Sequence, residues 1–344
     1  MNHLKFQNIP NLIPYRKGDK WGYCDKEKNI IIDCMYNDAR PFSEGLAVVN
    51  VFGKEGFIGC INESGELIVV LPSFIYVLED LKDGILKVSF PNEYYGSDEG
   101  YIDIFTERKH KKYKNIIPRD GYIYSARLGI PDSEGLELVI KSDPQLRPNE
   151  IKMIYGYAKS GRILIKHKYE KALPFSEGLA AVKLNGNWMY INSQDEKILD
   201  MLIFDELTSF SEDLGGIMFE NKWGFCDKKG NIVIDFQFDE IKEFSEGLCA
   251  VSVNQKWGFI DKNGEIVLPT EFERVHSFSE GLAPAWLDEG YGYIDHFGDF
   301  VIPQKYIFAS TFKNGLALVN PLANTKRPLF QYYIDKLGNE YFEE

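Results

Sequence analysis

One block of residues keeps coming back along this chain at a nearly constant interval, and that recurrence limits the possible folds more than any other feature. Trp188-Met189-Tyr190-Ile191-Asn192 returns as Trp223-Gly224-Phe225-Cys226-Asp227, Trp257-Gly258-Phe259-Ile260-Asp261 and Tyr291-Gly292-Tyr293-Ile294-Asp295, with starts 35, 34 and 34 residues apart. Trp21-Gly22-Tyr23-Cys24-Asp25 is an N-terminal copy, and Tyr332-Tyr333-Ile334-Asp335 is a C-terminal copy with a truncated unit. A fixed period of this length marks stacked supersecondary units, none of which buries its apolar surface alone.

A second block keeps the same beat. Phe42-Ser43-Glu44-Gly45-Leu46-Ala47 recurs from Phe175, Phe244 and Phe278, with weaker echoes from Phe210 and Phe312. Degenerate copies open at Glu55-Gly56-Phe57-Ile58, Glu99-Gly100-Tyr101 and Tyr155-Gly156-Tyr157, where the spacing stretches. The whole chain, 1–344, therefore reads as a single array. Regular repeats occupy 12–55 and 172–344, and degenerate, insertion-bearing repeats occupy 56–171.

One unit, 248–281, shows the expected local structure. Leu248-Cys249-Ala250-Val251-Ser252-Val253 is a short β-branched run, followed by a tight Asn254-Gln255 connection and a second strand from Lys256 to Asp261. Asp261-Lys262-Asn263-Gly264 supplies a turn, with Gly for the positive φ at its exit. Glu265 to Pro269 is a third strand stopped by proline, and 270–281 has room for a short fourth one. No apolar stripe of period 3.6 runs longer than a turn or two, so the fold class is all-β. The expectation is a tandem array of about nine antiparallel β-meander units of ~34 residues each.

Residues that recur in phase are expected to be structural. Trp21, Trp188, Trp223 and Trp257 each offer a large ring for burial, and truncation to Ala is expected to cost about 3–5 kcal/mol. Gly22, Gly224, Gly258 and Gly292 let a neighbouring ring or backbone approach closely. Asp25, Asp227, Asp261 and Asp295 are read as turn formers, with Gly230, Gly264 and Gly298 closing their turns and Gly45, Gly178, Gly247 and Gly281 closing the Ser-Glu-Gly ones. Aromatics make up 14% of the chain, which suits packed strands.

Lys20-Trp21-Gly22, Lys222-Trp223-Gly224 and Lys256-Trp257-Gly258, with the Asp-Lys-x-Gly turns and Phe-Ser-Glu-Gly-Leu blocks, resemble the bacterial WG-repeat (KWG-repeat) family. The resemblance is strong over 12–55 and 172–344 and weak between them. It implies a bacterial protein of roughly 35-residue β units, with no defined catalytic activity, cofactor or common ligand.

Two arrangements bury such units: an open, solenoid-like superhelix, or a closed, propeller-like toroid. A 34-residue unit is short for a four-stranded blade, which favours the open form slightly. A chain that starts and ends in mid-unit is what a closed ring needs.

Composition narrows the function. The net charge of −13 repels phosphate backbones, so neither nucleic acid nor an anionic membrane is an expected partner. No segment approaches the length of an apolar membrane span, no signal-peptide stretch opens the chain, and the five cysteines form no CxxC, which together favour a cytoplasmic location. The recurring Asp lacks the alternating acidic ligands of a calcium loop, and the five histidines share no metal-ligand spacing. A catalytic group is needed once, whereas the Ser and Glu here recur in near-identical surroundings. The expectation is a non-catalytic protein without metal or cofactor.

Recognition is then left to positions that break the repeat, chiefly insertions at 91–98, 106–120 and 141–152. Among them is the basic run Arg108-Lys109-His110-Lys111-Lys112, read as a solvated loop or, through Arg108, Lys109, Lys111 and Lys112, as a contact for an acidic partner. The leading expectation is a protein-interaction surface. Glycan or cell-envelope binding by exposed aromatics is the alternative, and an enzyme site within 85–155 a remote third.

Overall fold

A computed structural model describes residues 10–52, 57–71, 76–77, 85–91, 97–103, 126–127, 136–142, 153–159, 162–199, 204–322 and 330–343. Among these every regular element is a β-strand. The basic run at 108–114 and most of the three insertions lie outside the described residues.

The seventh unit shows the plan. A two-residue strand, Glu240–Ile241, pairs with Cys249–Val253, which forms a hairpin with Lys256–Ile260, which in turn pairs with Ile266–Phe272. The same antiparallel order recurs in four-stranded sheets elsewhere, so nine units follow one another among the described residues. Where a unit forms its own four-stranded sheet, the last strand is the exposed edge. Ile30–Tyr36, Ile232–Phe238 and Ile266–Phe272 share one alternation of exposed and buried positions, down to a buried aromatic at the end.

Pro269 does not end its strand. Its missing N–H is tolerated because the strand is an edge, and a bulge there spaces Phe259↔Leu268 and Trp257↔Phe272 unevenly. Gly258 explains the bulge. A Cβ at Gly258 would lie 2.6 Å from the Leu268 carbonyl oxygen, and Gly22, Gly156, Gly224 and Gly292 meet the edge strand in the same way. In the second unit that position belongs to Gly59, 2.4 Å from the Val69 oxygen, and not to Gly56 as the Gly56-Phe57 pair suggests.

Apolar cores lie between successive sheets rather than within them. Phe259, Leu268 and Phe272 of the seventh unit pack with Ala283, Ala285 and Ile294 of the eighth. Phe225, Ile234 and Phe238 pack in the same way with Phe244, Cys249 and Val251. The second strand of each unit is covered on both sides, which accounts for its small residues: Ala180, Ala181, Ala283 and Ala285 are fully buried.

The ends of the array meet. Glu340–Glu343 runs parallel to Ile13–Lys17, with Arg16 opposite Phe342 and Lys17 opposite Glu343, joining the last two units and the first into one ten-stranded sheet. Ile13, Tyr15 and Cys24 share a core with Leu316 and Tyr341, and Trp21 stacks edge-on against Tyr333 at 5.8 Å. No single sheet closes into a barrel. The all-β tandem array of repeated strand units expected from the sequence is present, consistent with the open form slightly favoured there, and its first and last units are in contact.

Candidate functional site

The recurring polar residues meet at one end of the sheets. In the regular units the second strand begins after the Ser-Glu-Gly turn or its counterpart and the third ends in the Asp turn. Because these strands are antiparallel, both turns sit at the same end, here termed the turn face.

Each Ser-Glu-Gly turn is a two-residue hairpin. Ser245 and Leu248 exchange backbone hydrogen bonds, while Glu246 and Gly247 both take positive φ, 56° and 82°. That is the geometry of a type I′ turn, normally the place of Asn-Gly or Gly-Gly. A glutamate there costs about 1–2 kcal/mol of left-handed strain, so something must offset it.

The offset comes from the next unit. The carboxylate of Glu246 accepts the amide N–H of Gly281, at 3.0 Å to the nearer oxygen. Glu177 receives Glu212 and Asp213, Glu212 receives Gly247, and Glu280 receives Gly315. The serines act in parallel. Ser176, Ser211, Ser245 and Ser279 donate to the carbonyls of Phe210, Phe244, Phe278 and Phe312 at 2.5–2.8 Å.

A basic side chain completes each link. Lys228, Lys262 and Lys336, which follow the turn aspartates, sit 3.0–3.1 Å from Glu177, Glu212 and Glu280. In the eighth unit His296 takes the lysine's place, 3.3 Å from Glu246 and stacked on Phe278.

Below the turns the two recurring blocks meet as rings. The aromatic two residues after each recurring Trp, or Tyr291 in its place, packs on the Phe that opens the next unit's second block: Tyr23 on Phe42, Tyr190 on Phe210, Phe225 on Phe244, Phe259 on Phe278 and Tyr293 on Phe312, all with centroids 4.7–5.1 Å apart. Such pairs add about 0.5–1.5 kcal/mol each beyond their burial. The interleaved motifs of the sequence are the two halves of one joint.

The aspartates are engaged locally. Asp227 Oδ1 accepts the amides of Lys229 and Asn231, and its other oxygen accepts the Asn231 side-chain amide. Asp25, Asp261, Asp295 and Asp335 accept the corresponding backbone amides. These bonds hold the carboxyls of Asp25, Asp227 and Asp261 below the usual range; the Asn side chain is the largest cause for the first two, while at Asp261 desolvation is the largest single effect and is outweighed by the Glu265, Asn263 and Gly264 hydrogen bonds together. The turn glycines take φ of 84–87° at Gly230, Gly264 and Gly298. No cluster of three or more His, Cys, Asp or Glu with metal-binding potential occurs among the described residues.

Not every expected core residue is fully buried. Trp21 and Trp188 are, at 4% and 5% exposure, whereas Trp223 and Trp257 are half-buried at the rims of their cores. Lys242 lies over the Trp257 ring at 5.2 Å and covers part of the remainder.

Two positions on the turn face break the repeat. The apex of the Asp turn is Glu27, Ser64, Gln194, Lys229 or Asn263 in the first, second, fifth, sixth and seventh units, but Phe297 in the eighth and Leu337 in the ninth. These side chains are 82% and 64% exposed. The two turns are neighbours: a Cβ on Gly338 would touch Ile302, which follows the Phe297 turn by a few residues. The sequence reading passed over this pair; aligning the turn apices would have found it.

Sheets joined face to face by recurring polar links define a tandem β-repeat protein. The chain belongs to the family of WG containing repeats, whose model matches residues 21–54, 159–188, 188–223, 223–257, 257–285 and 291–320. No curated protein matches it in sequence. Among solved structures, a eukaryotic initiation factor is similar over 97% of this chain and 95% of its own, with a TM-score of 0.57 at 11% identity, a likeness of fold. Dipeptidyl peptidase 4 of Porphyromonas gingivalis aligns with 98% of this chain and 60% of its own, at 10% identity and a TM-score of 0.37.

Proposed function

We propose that the chain is a non-catalytic scaffold that presents a surface to a protein partner. The observation that carries this reading is the fate of the repeated polar groups. The Ser hydroxyls and Glu carboxylates of units five to eight are spent on the neighbouring unit, and the turn aspartates on their own backbone. A carboxylate already holding an amide and a cation is poorly placed to act as a base or nucleophile. What varies from unit to unit is the side chain at the turn apices and the sequence of the insertions, and rigid arrays with variable surfaces suit macromolecular recognition.

The test is affinity purification of the tagged full chain at native expression, followed by titration of the recovered protein against the purified chain. Saturable binding of a defined partner supports the reading. Recovery of background proteins alone contradicts it.

A further inference from the structure

We infer that the turn face of the eighth and ninth units docks a basic protein segment, with Phe297 and Leu337 as its apolar anchors. This rests on the protein-binding reading above and names the face and the partner's chemistry.

The argument begins with a comparison of exposed apolar residues. Ile30, Ile232, Ile266 and Val301 are also exposed, but they fall at the start of the edge strand in unit after unit and belong to the repeat itself. Phe297 and Leu337 stand where the first, second, fifth, sixth and seventh units carry polar residues, in adjacent turns at one end of the array. Side chains of this size cost solubility, and most of each remains exposed within the fold.

Charge selects the occupant. Around the anchors stand three carboxylates, the turn glutamates Glu246 and Glu280 and the turn aspartate Asp295, against the imidazole of His296 and two lysines of the ninth unit, Lys336 and Lys313, the latter in place of a turn serine. The eighth unit adds one more carboxylate. Where Asn231 and Asn339 donate side-chain amides to their aspartates, Asp299 sets a second, exposed carboxylate beside Asp295. A second copy of this chain, at −13, is repelled, whereas a segment pairing Lys or Arg with an apolar residue meets both features.

The experiment selects a phage-displayed library of random 12-residue peptides on the immobilised full chain, then measures the selected peptides against variants. The expected peptides are rich in Lys and Arg around an apolar residue and bind more weakly as NaCl rises. They lose on the order of tenfold or more in affinity for the F297S/L337S variant, and they keep it for I266S/V267S, which alters in-phase apolar positions. Because both anchors are exposed, the first variant folds, as circular dichroism checks. Selected peptides that are not basic, or that bind F297S/L337S unchanged, overturn this inference and leave the protein-binding reading standing. A library with no enrichment over a blank surface overturns that reading as well.

Discussion

The amide of Gly281 donates to the carboxylate of Glu246, 35 residues earlier in the chain and one unit away. The same carboxylate has His296 beside it, and Ser245, its neighbour in sequence, donates to the Phe278 carbonyl. One turn thus holds the next unit by three polar contacts, above a Phe259–Phe278 ring pair at 4.9 Å. The joint recurs because a sheet of this size cannot cover its own apolar faces.

The recurring glycines fall into two kinds, and substitution separates them. A Cβ at Gly258 would meet backbone at 2.6–2.8 Å, while one at Gly281 meets nothing within 4 Å but must accept φ of 89°. Gly258→Ala is expected to lower unfolding free energy by about 3 kcal/mol, since strand backbone must move. Gly281→Ala costs about 1–2 kcal/mol from local strain. Urea titration of both variants checks the order, and equal losses would contradict it.

Burial likewise ranks the tryptophans. Trp188→Ala is expected to cost about 3–5 kcal/mol. The half-buried Trp257, capped by Lys242, is expected to cost clearly less. The same titrations measure both, and a larger loss at Trp257 would refute the ranking.

Thiol reactivity follows the cores. Burial pushes Cys24, Cys226 and Cys249 up to about 12 and Cys60 up to about 11, while Cys34 is half-buried and raised less far. With a disulfide reagent at pH 8 the native protein is expected to show at most one reactive thiol, Cys34, and the unfolded chain all five. Rapid native labelling of several cysteines would mean that the cores are open.

His276 sets an acid limit on stability. Burial first, and Lys242 second, lower its pKa from 6.5. As pH falls below that value the unfolded chain protonates before the folded one, so stability present at neutral pH declines. Melting temperature is expected to drop between about pH 6.5 and 5, and less steeply in H276Q. Identical slopes in the two proteins would assign the effect elsewhere.

Much of the unit was legible in the sequence. The hairpin of Cys249–Val253 with Lys256–Ile260 falls within the residues that periodicity marks, because β-branched runs and turn residues act locally. Pro269 misled, since whether a strand tolerates proline depends on its being an edge, which is a tertiary property. The second unit misled through Gly56-Phe57, although the true position, Gly59, stands six residues before Gly65, the spacing that links Gly258 to Gly264. Recurrence marked Ser and Glu as structural but did not name their partners one unit on. The in-phase cations Lys228, Lys262 and Lys336 were the available signal.

The central claim is that each turn glutamate fastens the following unit, and amide hydrogen exchange reads this directly. In the variants E212Q, E246Q and E280Q, exchange is expected to accelerate at Gly247, Gly281 and Gly315 respectively, one unit downstream of each change. Acceleration confined to the substituted turn, or none at the next glycine, would contradict the account.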